Sequence, residues 1–244
     1  MISVEHFSYQ YGSHVAVRDI SFSLQKGEVV ALIGPNGAGK STTMKVLTTL
    51  LRPCSGKILV AGHDVETEPM QVRENLGYLP ETNPLYDDMI VYDALHSIAA
   101  QRHIPRSGRD SAVAEVAKQC GIESVMHREI SELSRGYRQR VGIAQAIIHH
   151  PAVLILDEAT TGLDPNQIRE IRDLILEIGK EKTVLMSTHI LQEVTAIAKR
   201  LILLHRGQIA CDGPIDAILE TVSEKLRKTA TIEDLFSYYT KGEE

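Results

Sequence analysis

Residues Leu32–Leu47 read LIGPNGAGKSTTMKVL. Three glycines and a proline separate an apolar run from a stretch with helical spacing. Glycine costs stability inside regular structure, so such a cluster marks a loop whose backbone has a task. Gly34, Pro35, Asn36, Gly37, Ala38, Gly39, Lys40 and Ser41 fit G-x-x-x-x-G-K-[ST], the pattern of a loop that cradles phosphates between a strand and a helix. Backbone N–H groups converge on a phosphate only where no Cβ obstructs them, and the following helix start adds a partial positive charge. In this pattern Lys40 reaches the β- and γ-phosphates and the Ser41 hydroxyl binds Mg²⁺, with Thr42 completing the set. The plainer reading, a glycine-rich turn with a chance Gly-Lys-Ser, does not account for the strand before it and the helix after it.

On either side of the loop the chain alternates elements: "ISVEHFSY" and "DISFSL" alternate as half-exposed strands do. "EVVALIG" is short and wholly apolar, as in a strand buried on both faces. A helix is expected from Lys40 to Leu51, with Met44, Leu47 and Leu51 on one stripe, stopping before Pro53. "GKILVAG" and "LGYLP" read as strands. From Pro84 to about His150 the pattern turns helical, in "VYDALHSIAAQRH", "DSAVAEVAKQC" and "YRQRVGIAQAIIHH", with "IPRSGRD" as a turn. His149 and His150 suit a helix C-terminus. "AVLILDE", "TVLMSTH" and the two halves of "RLILLHRGQIACDG" are predicted strands, "NQIREIRDLILEIGKE" and "LQEVTAIAK" predicted helices, and a last helical stretch runs from "PIDAIL" to the end. Such alternation argues for a mostly parallel α/β sheet with a helical lobe inserted.

The chain has 244 residues, enough for one large domain with a sizeable core. Its formal net charge of −6 disfavours generic nucleic-acid binding, which relies on basic surface. Cys54, Cys120 and Cys211 are scattered, without a C-x-x-C pair, which disfavours a zinc or thiol-redox site and fits a reducing compartment. The N-terminal stretch lacks the basic-then-apolar order of a signal peptide. No apolar run approaches the ~18 residues of a membrane span, so service to a membrane is expected to go through a partner.

"VLILDE", Val153–Glu158, is a buried strand ending in two carboxylates. Active groups of parallel sheets gather at strand C-terminal ends. Beside a phosphate loop, Asp157 suits the Mg²⁺ shell, and Glu158 suits orienting or deprotonating a water that attacks the γ-phosphate. Taken alone, the same pair would be a solvated strand end.

The stretch "ISELSRGYRQRVGIAQAIIHHPAVLILDEATTGLDP", Ile130–Pro165, resembles the ATP-binding cassette family, and the resemblance extends over nearly the whole chain. That family's signature, usually LSGGQ, stands here as Leu133-Ser134-Arg135-Gly136-Tyr137. The resemblance implies that Ser134 and Gly136 contact the γ-phosphate held by a second copy of the domain; Ser134 is equally a good cap for its own helix, and both can hold. It implies that Tyr11 stacks on adenine, that Asp164 of "TGLDP" crosses the dimer interface, and that His189 of "STH" senses the γ-phosphate. It further implies that Glu81 sits where the family generally has a metal-associated glutamine. Glu81, Arg135 and Tyr137 depart from the family pattern; Arg135 either adds a cation near the nucleotide or points to solvent. "GYLPE" with "LSRGYRQR" looks most like exporter ATPases of the drug-resistance, sodium-extrusion, gliding-motility and copper-processing kind.

The expected fold class is α/β: a P-loop NTPase with a RecA-like core, an N-terminal antiparallel β portion and an inserted helical subdomain. Residues 1–244 are expected to form one nucleotide-binding domain, with the core at about 1–80 and 151–244 and the helical subdomain at about 81–150. The resemblance implies an ATPase that takes ATP and Mg²⁺. It would pair as a homodimer or with a second ATPase subunit, and drive export through integral membrane permease subunits. It would work without nucleic acid, cytoplasmic and peripheral on the inner face of the cell membrane. Coupling would run through the Glu81 loop, with Leu85, Tyr86, Met89 and Val91 either meeting the permease or packing within the lobe. Catalysis would rest on Lys40, Glu158 and His189. A cassette ATPase without a transporter, such as an iron–sulfur assembly ATPase, is the alternative. A GTPase is disfavoured because no Asn-Lys pair occurs to read guanine.

Overall fold

The wholly apolar run before the phosphate loop is strand β3 (Val29–Ile33). In the computed structural model, which describes residues 1–241, β3 lies inside a six-stranded sheet of order β10-β9-β3-β8-β7-β6. Its companions are β6 (Leu76–Leu79), β7 (Val153–Asp157), β8 (Thr183–Ser187), β9 (Arg200–His205) and β10 (Gln208–Pro214). All neighbours pair in parallel except the edge hairpin of β9 and β10. A strand's side chains alternate between faces, and both faces here are covered. Val30 and Leu32 pack on one side, Ala31 and Ile33 on the other; Val153 and Ile155 oppose Leu154 and Leu156 in the same way. A strand covered on both faces has no polar positions to spare, and this is why the β3 and β7 sequences show no alternation.

A second, antiparallel sheet of four strands has the order β2-β1-β4-β5, from β1 (Ile2–Tyr11), β2 (His14–Leu24), β4 (Ser55–Val60) and β5 (His63–Asp64). Its inner face brings Ile2, Val4, Phe7, Val17 and Ile58 into the core shared with helix α1 (Lys40–Leu47) and the central sheet. On the opposite side, α5 (Arg135–Ile147) and α6 (Pro165–Gly179) pack against Leu154, Leu156, Val184 and Met186. That core continues into a helical lobe containing α3 (Val91–Gln101) and α4 (Arg106–Cys120). The remaining face of β3 and β9 is covered by α7 (Leu191–Ile197), α8 (Ile215–Leu226) and α9 (Ile232–Lys241).

Three expectations are corrected, and one helix is added. The helix after the phosphate loop ends at Leu47, not Leu51. Thr49 turns into the left-handed region (φ 61°), and the N–H groups of Leu50 and Leu51 both bind the Lys45 carbonyl, closing a tight turn. Leu51 still packs on the same core as Met44 and Leu47. "PRSGRD" is not a turn but the start of α4, with Pro105 at the cap, where a missing N–H costs nothing. The short helix α2 (Pro69–Glu74) has no counterpart in the sequence reading. The C-terminal stretch is two helices, separated at Arg227 in the left-handed region; residues 242–244 of that reading lie outside the described residues.

Candidate active site

The C-terminal ends of β3, β6, β7 and β8 deliver the candidate residues to one side of the sheet. β3 runs into Gly34, β6 into Glu81 two residues past its end, β7 ends at Asp157, and β8 precedes His189. A cleft of about 500 Å³ opens there, lined by Tyr11, Asn36, Gly37, Ala38, Gly39, Lys40, Ser41, Thr42, Glu81, Glu158 and His189. Ten of these eleven lie on loops or at helix starts, and Tyr11 is the last residue of β1. His14 and Ala16 of β2 also line it and carry no sequence signal of their own.

Two of the three loop glycines, Gly34 and Gly39, are enforced by close approach. A Cβ on Gly34 would lie 2.2 Å from the Leu204 carbonyl oxygen, and one on Gly39 would lie 2.6 Å from that of Ala16. The latter contact shows how the antiparallel sheet braces the loop. Lys40 is buried and its Nζ donates back to the carbonyls of Gly34 (2.7 Å) and Pro35 (3.2 Å). Burial lowers the Lys40 pKa, while Glu158, Asp157 and Glu81 oppose that shift. An amine so placed, at the phosphate loop beside carboxylates, is a partner for phosphate oxygens.

Asp157 is buried, and burial raises its pKa; the Ser187 and Ser41 hydroxyls and Lys40 pull it back. Ser187 Oγ donates to Asp157 Oδ1 at 2.5 Å and accepts from the Glu158 N–H at 3.0 Å. Asp157 and Ser187 face each other in the β7–β8 register, so the contact follows from two strand ends lying level. The sequence reading missed Ser187; its signal was its place just before the Thr-His pair at the end of a predicted strand. Glu158 sits in the left-handed region at φ 54°, as Thr49 and Arg227 do elsewhere in the chain, a strained backbone for a non-glycine residue. This conformation points its carboxylate at His189, whose Nδ1 lies 2.6 Å from Glu158 Oε2, and the Thr161 hydroxyl donates to the same oxygen at 3.0 Å. The carboxylate is mostly enclosed, whereas half of the imidazole is exposed to the cleft.

Tyr11 is 46% exposed at the rim, its ring edge-on to Tyr9 with centroids 4.9 Å apart. An open aromatic face at the mouth of a phosphate cleft suits stacking with a base. Ser41, Asp157 and Glu81 offer hard oxygen donors of the kind Mg²⁺ takes. Among the described residues no three His, Cys, Asp or Glu side chains cluster as a metal cage. Such a set fits a cation that shares its shell with phosphate oxygens and water.

Six candidates are not among the described residues lining this cleft: Gly34, Pro35 and Asp157, which lie within two positions of a lining residue in the chain, and Ser134, Gly136 and Asp164, which do not. Ser134 caps α5, accepting weakly from the Tyr137 N–H at 3.4 Å. Asp164 caps α6, accepting from the N–H groups of Asn166 (2.9 Å) and Gln167 (3.0 Å). The two helix starts are neighbours: a Cβ on Gly136 would meet the Gln167 side chain at 2.9 Å. Arg135 donates to the Gly162 carbonyl at 3.2 Å, so it ties these two loops together rather than pointing free into solvent.

A phosphate loop, a buried strand-end aspartate with its neighbouring glutamate, and a separate serine-capped helix define this site. Residues 17–161 match the family described as ABC transporter. The chain belongs to that family. The ABC transporter ATP-binding protein NatA of Bacillus subtilis (strain 168) is 36% identical over 209 residues, 84% of this chain and 85% of that protein. The structure of an ATP-binding subunit of an ABC transporter matches with a TM-score of 0.85 at 28% identity, over 98% of this chain and 99% of that one. CbiO1 from Clostridium perfringens, part of the ABC transporter complex cbiONQ, matches with a TM-score of 0.80 at 30% identity, over 93% and 95% of the two chains. This ABC protein is an ATP-binding ATPase subunit that powers transport, with the P-loop NTPase fold.

Proposed function

We propose that this ABC ATPase works as a pair of copies, or with a second ATPase subunit, closing around two ATP molecules to drive export through separate membrane permease subunits. The observation that carries this reading is that the chain holds a phosphate cleft and, away from it, a second phosphate-suited feature, the exposed Ser134 helix start beside the exposed Asp164 loop. Helix starts attract anions, and this one needs a nucleotide from another molecule. In this reading Tyr11 stacks on the base, and the Gly34–Thr42 loop and Lys40 bind the phosphates. Ser41 and Asp157, with Glu81 through water, hold Mg²⁺. When bound, Mg²⁺ neutralises charge developing on the phosphate oxygens. Glu158 orients the attacking water and takes its proton, while His189 holds the Glu158 carboxylate and faces the γ-phosphate. Ser134, Gly136 and Asp164 serve the partner's nucleotide.

The chain forms one nucleotide-binding domain in this reading, with the helical subdomain at about 81–150. Among the described residues no helix is long and apolar enough to cross a membrane, so attachment is assigned to the permease subunits, on the cytoplasmic face. A groove of about 580 Å³ between β6, α3 and α5 is lined by Tyr78, Pro80, Asn83, Pro84, Arg102 and His149, among others, beside the Glu81 loop. It is the assigned permease contact, with Tyr86, 66% exposed, at the same loop. Val91 is fully buried and serves the lobe core instead, against which Leu85 and Met89 also pack. The test is Glu158→Gln with Mg-ATP, read by light scattering after gel filtration and by phosphate release. A stable dimer with hydrolysis down by about a hundredfold or more is expected. A variant that stays monomeric at saturating ATP and with the permease present overturns the paired mechanism.

A further inference from the structure

Behind the cleft lies a buried acid that the roles above leave unused. Glu193, in the first turn of α7, is 6% exposed. Its Oε2 accepts from the hydroxyl of Thr160, itself buried, at 2.6 Å, and its Oε1 has no partner among the described residues. A buried carboxyl with an unmet acceptor costs stability, so packing alone would favour an apolar side chain here. Burial raises the Glu193 pKa; Thr160 and His189 oppose that and Glu158 adds to it, in keeping with its place close behind both.

The connectivity gives the bond its meaning. Thr160 is two residues beyond Glu158, and Glu193 is four beyond His189. Their hydrogen bond therefore joins the two segments whose other side chains, Glu158 and His189, meet at 2.6 Å in the cleft. Neither segment is otherwise stiff by secondary structure: Glu158 to Asp164 and Thr188 to Ile190 lie outside helices and strands. We propose that Glu193 is a positioning residue for ATP hydrolysis, its bond to Thr160 setting the separation of the Glu158 carboxylate and the His189 imidazole. This rests on the reading of Glu158 and His189 as the groups at the reacting phosphate.

A misplacement of about an ångström at a reacting centre costs up to about a hundredfold in rate, while nucleotide binding by the loop is untouched. Thr160→Val removes the hydroxyl at nearly constant volume. It is expected to lower kcat by about ten- to a hundredfold, with KM and the affinity for a fluorescent ATP analogue within about twofold of wild type. Thr160→Ser restores the rate. Glu193→Gln keeps an acceptor for Thr160 and stays within about threefold, whereas Glu193→Asp keeps the charge, loses the reach and falls about tenfold. The Thr160→Val, Glu193→Asp double variant is no slower than the worse single one. Thr160→Val at the wild-type kcat, or losses that multiply in the double variant, overturns the proposal. If Thr160→Val does not fold, the Gln and Asp variants at position 193 decide alone, and equal rates for the two overturn it. Glu158→Gln assayed alongside separates the two claims. If it is inactive while Thr160→Val is not, only the positioning role falls; if it is active, the reading of Glu158 falls.

Discussion

At the scale of single residues, burial decides which ionisable groups do unusual things. Lys40 is held beneath its own loop by two carbonyls, with Glu158, Asp157 and Glu81 around it. Lys40→Ala therefore removes the only side-chain cation that the phosphate motif itself supplies, and ATP affinity measured by calorimetry is expected to fall by about tenfold or more. Burial acts in the same direction on His149. Burial first, then Arg102, pushes its pKa down to about 4 from 6.5. Its Nε2 donates to the Leu76 carbonyl at 3.1 Å, which fixes the neutral tautomer. A base with a depressed folded pKa contributes full stability above its unfolded pKa. Between 6.5 and about 4 the unfolded chain takes up the extra proton, so stability falls as pH drops through that window, by at most about 1.4 kcal/mol per pH unit. Urea midpoints at pH 7 and 5 should differ more for wild type than for His149→Gln; equal differences would remove His149 from the acid response. The sequence reading placed His149 at a helix end, which it is, but had no means of seeing the Leu76 carbonyl 73 residues away in the chain.

At the scale of elements, local chemistry and tertiary contact divide the work visibly. The phosphate loop was readable because its pattern is local: strand, glycines, lysine, helix. What each glycine is for was not. Gly37 has φ 78° with open space around its missing Cβ, whereas Gly39 has φ 104° and faces the Ala16 carbonyl at 2.6 Å. Gly37→Ala thus bears only the left-handed cost, while Gly39→Ala must also push β2 away. The expected losses are about 1 kcal/mol for the first and about 3 kcal/mol for the second, with Gly39→Ala also lowering ATP affinity. Thermal unfolding in the absence of nucleotide checks the order, and an equal cost for both would mean that the β2 contact is loose. The helix boundaries failed for a similar reason. Leu51 has the right spacing for α1 and does reach its core, but from a turn closed on the Lys45 carbonyl. Pro105 and Gly108 look like turn residues, yet they open α4: Pro105 sits at the cap, where its missing N–H costs nothing, and the Gly108 N–H binds the Pro105 carbonyl at 2.8 Å.

At the scale of the whole molecule, the proposed pairing predicts complementation between copies. In a pair, the cleft of one copy would meet Ser134 of the other, so a mixed pair of Lys40→Ala and Ser134→Arg chains contains one intact composite site. Mixing the two inactive variants at equal concentration should restore phosphate release that neither shows alone. No restoration, with mixed pairs demonstrated by differential tagging, would place Ser134 outside the nucleotide site.

Strands β3 and β7, the phosphate loop and the Asp157-Glu158 pair at the end of β7 were legible in the chain alone. Each is encoded in a short run whose apolar character, glycine content or spacing has one physical use. The resemblance carried by Ser134, Asp164 and His189 extended that to the family. Long-range packing alone set Ser187 level with Asp157, turned Glu158 left-handed beside His189, and joined Thr160 to Glu193 across the two segments. These are contacts between residues about 30 positions apart. They arise because adjacent parallel strands bring distant chain segments level at one edge of the sheet, a register that no local pattern of side chains records.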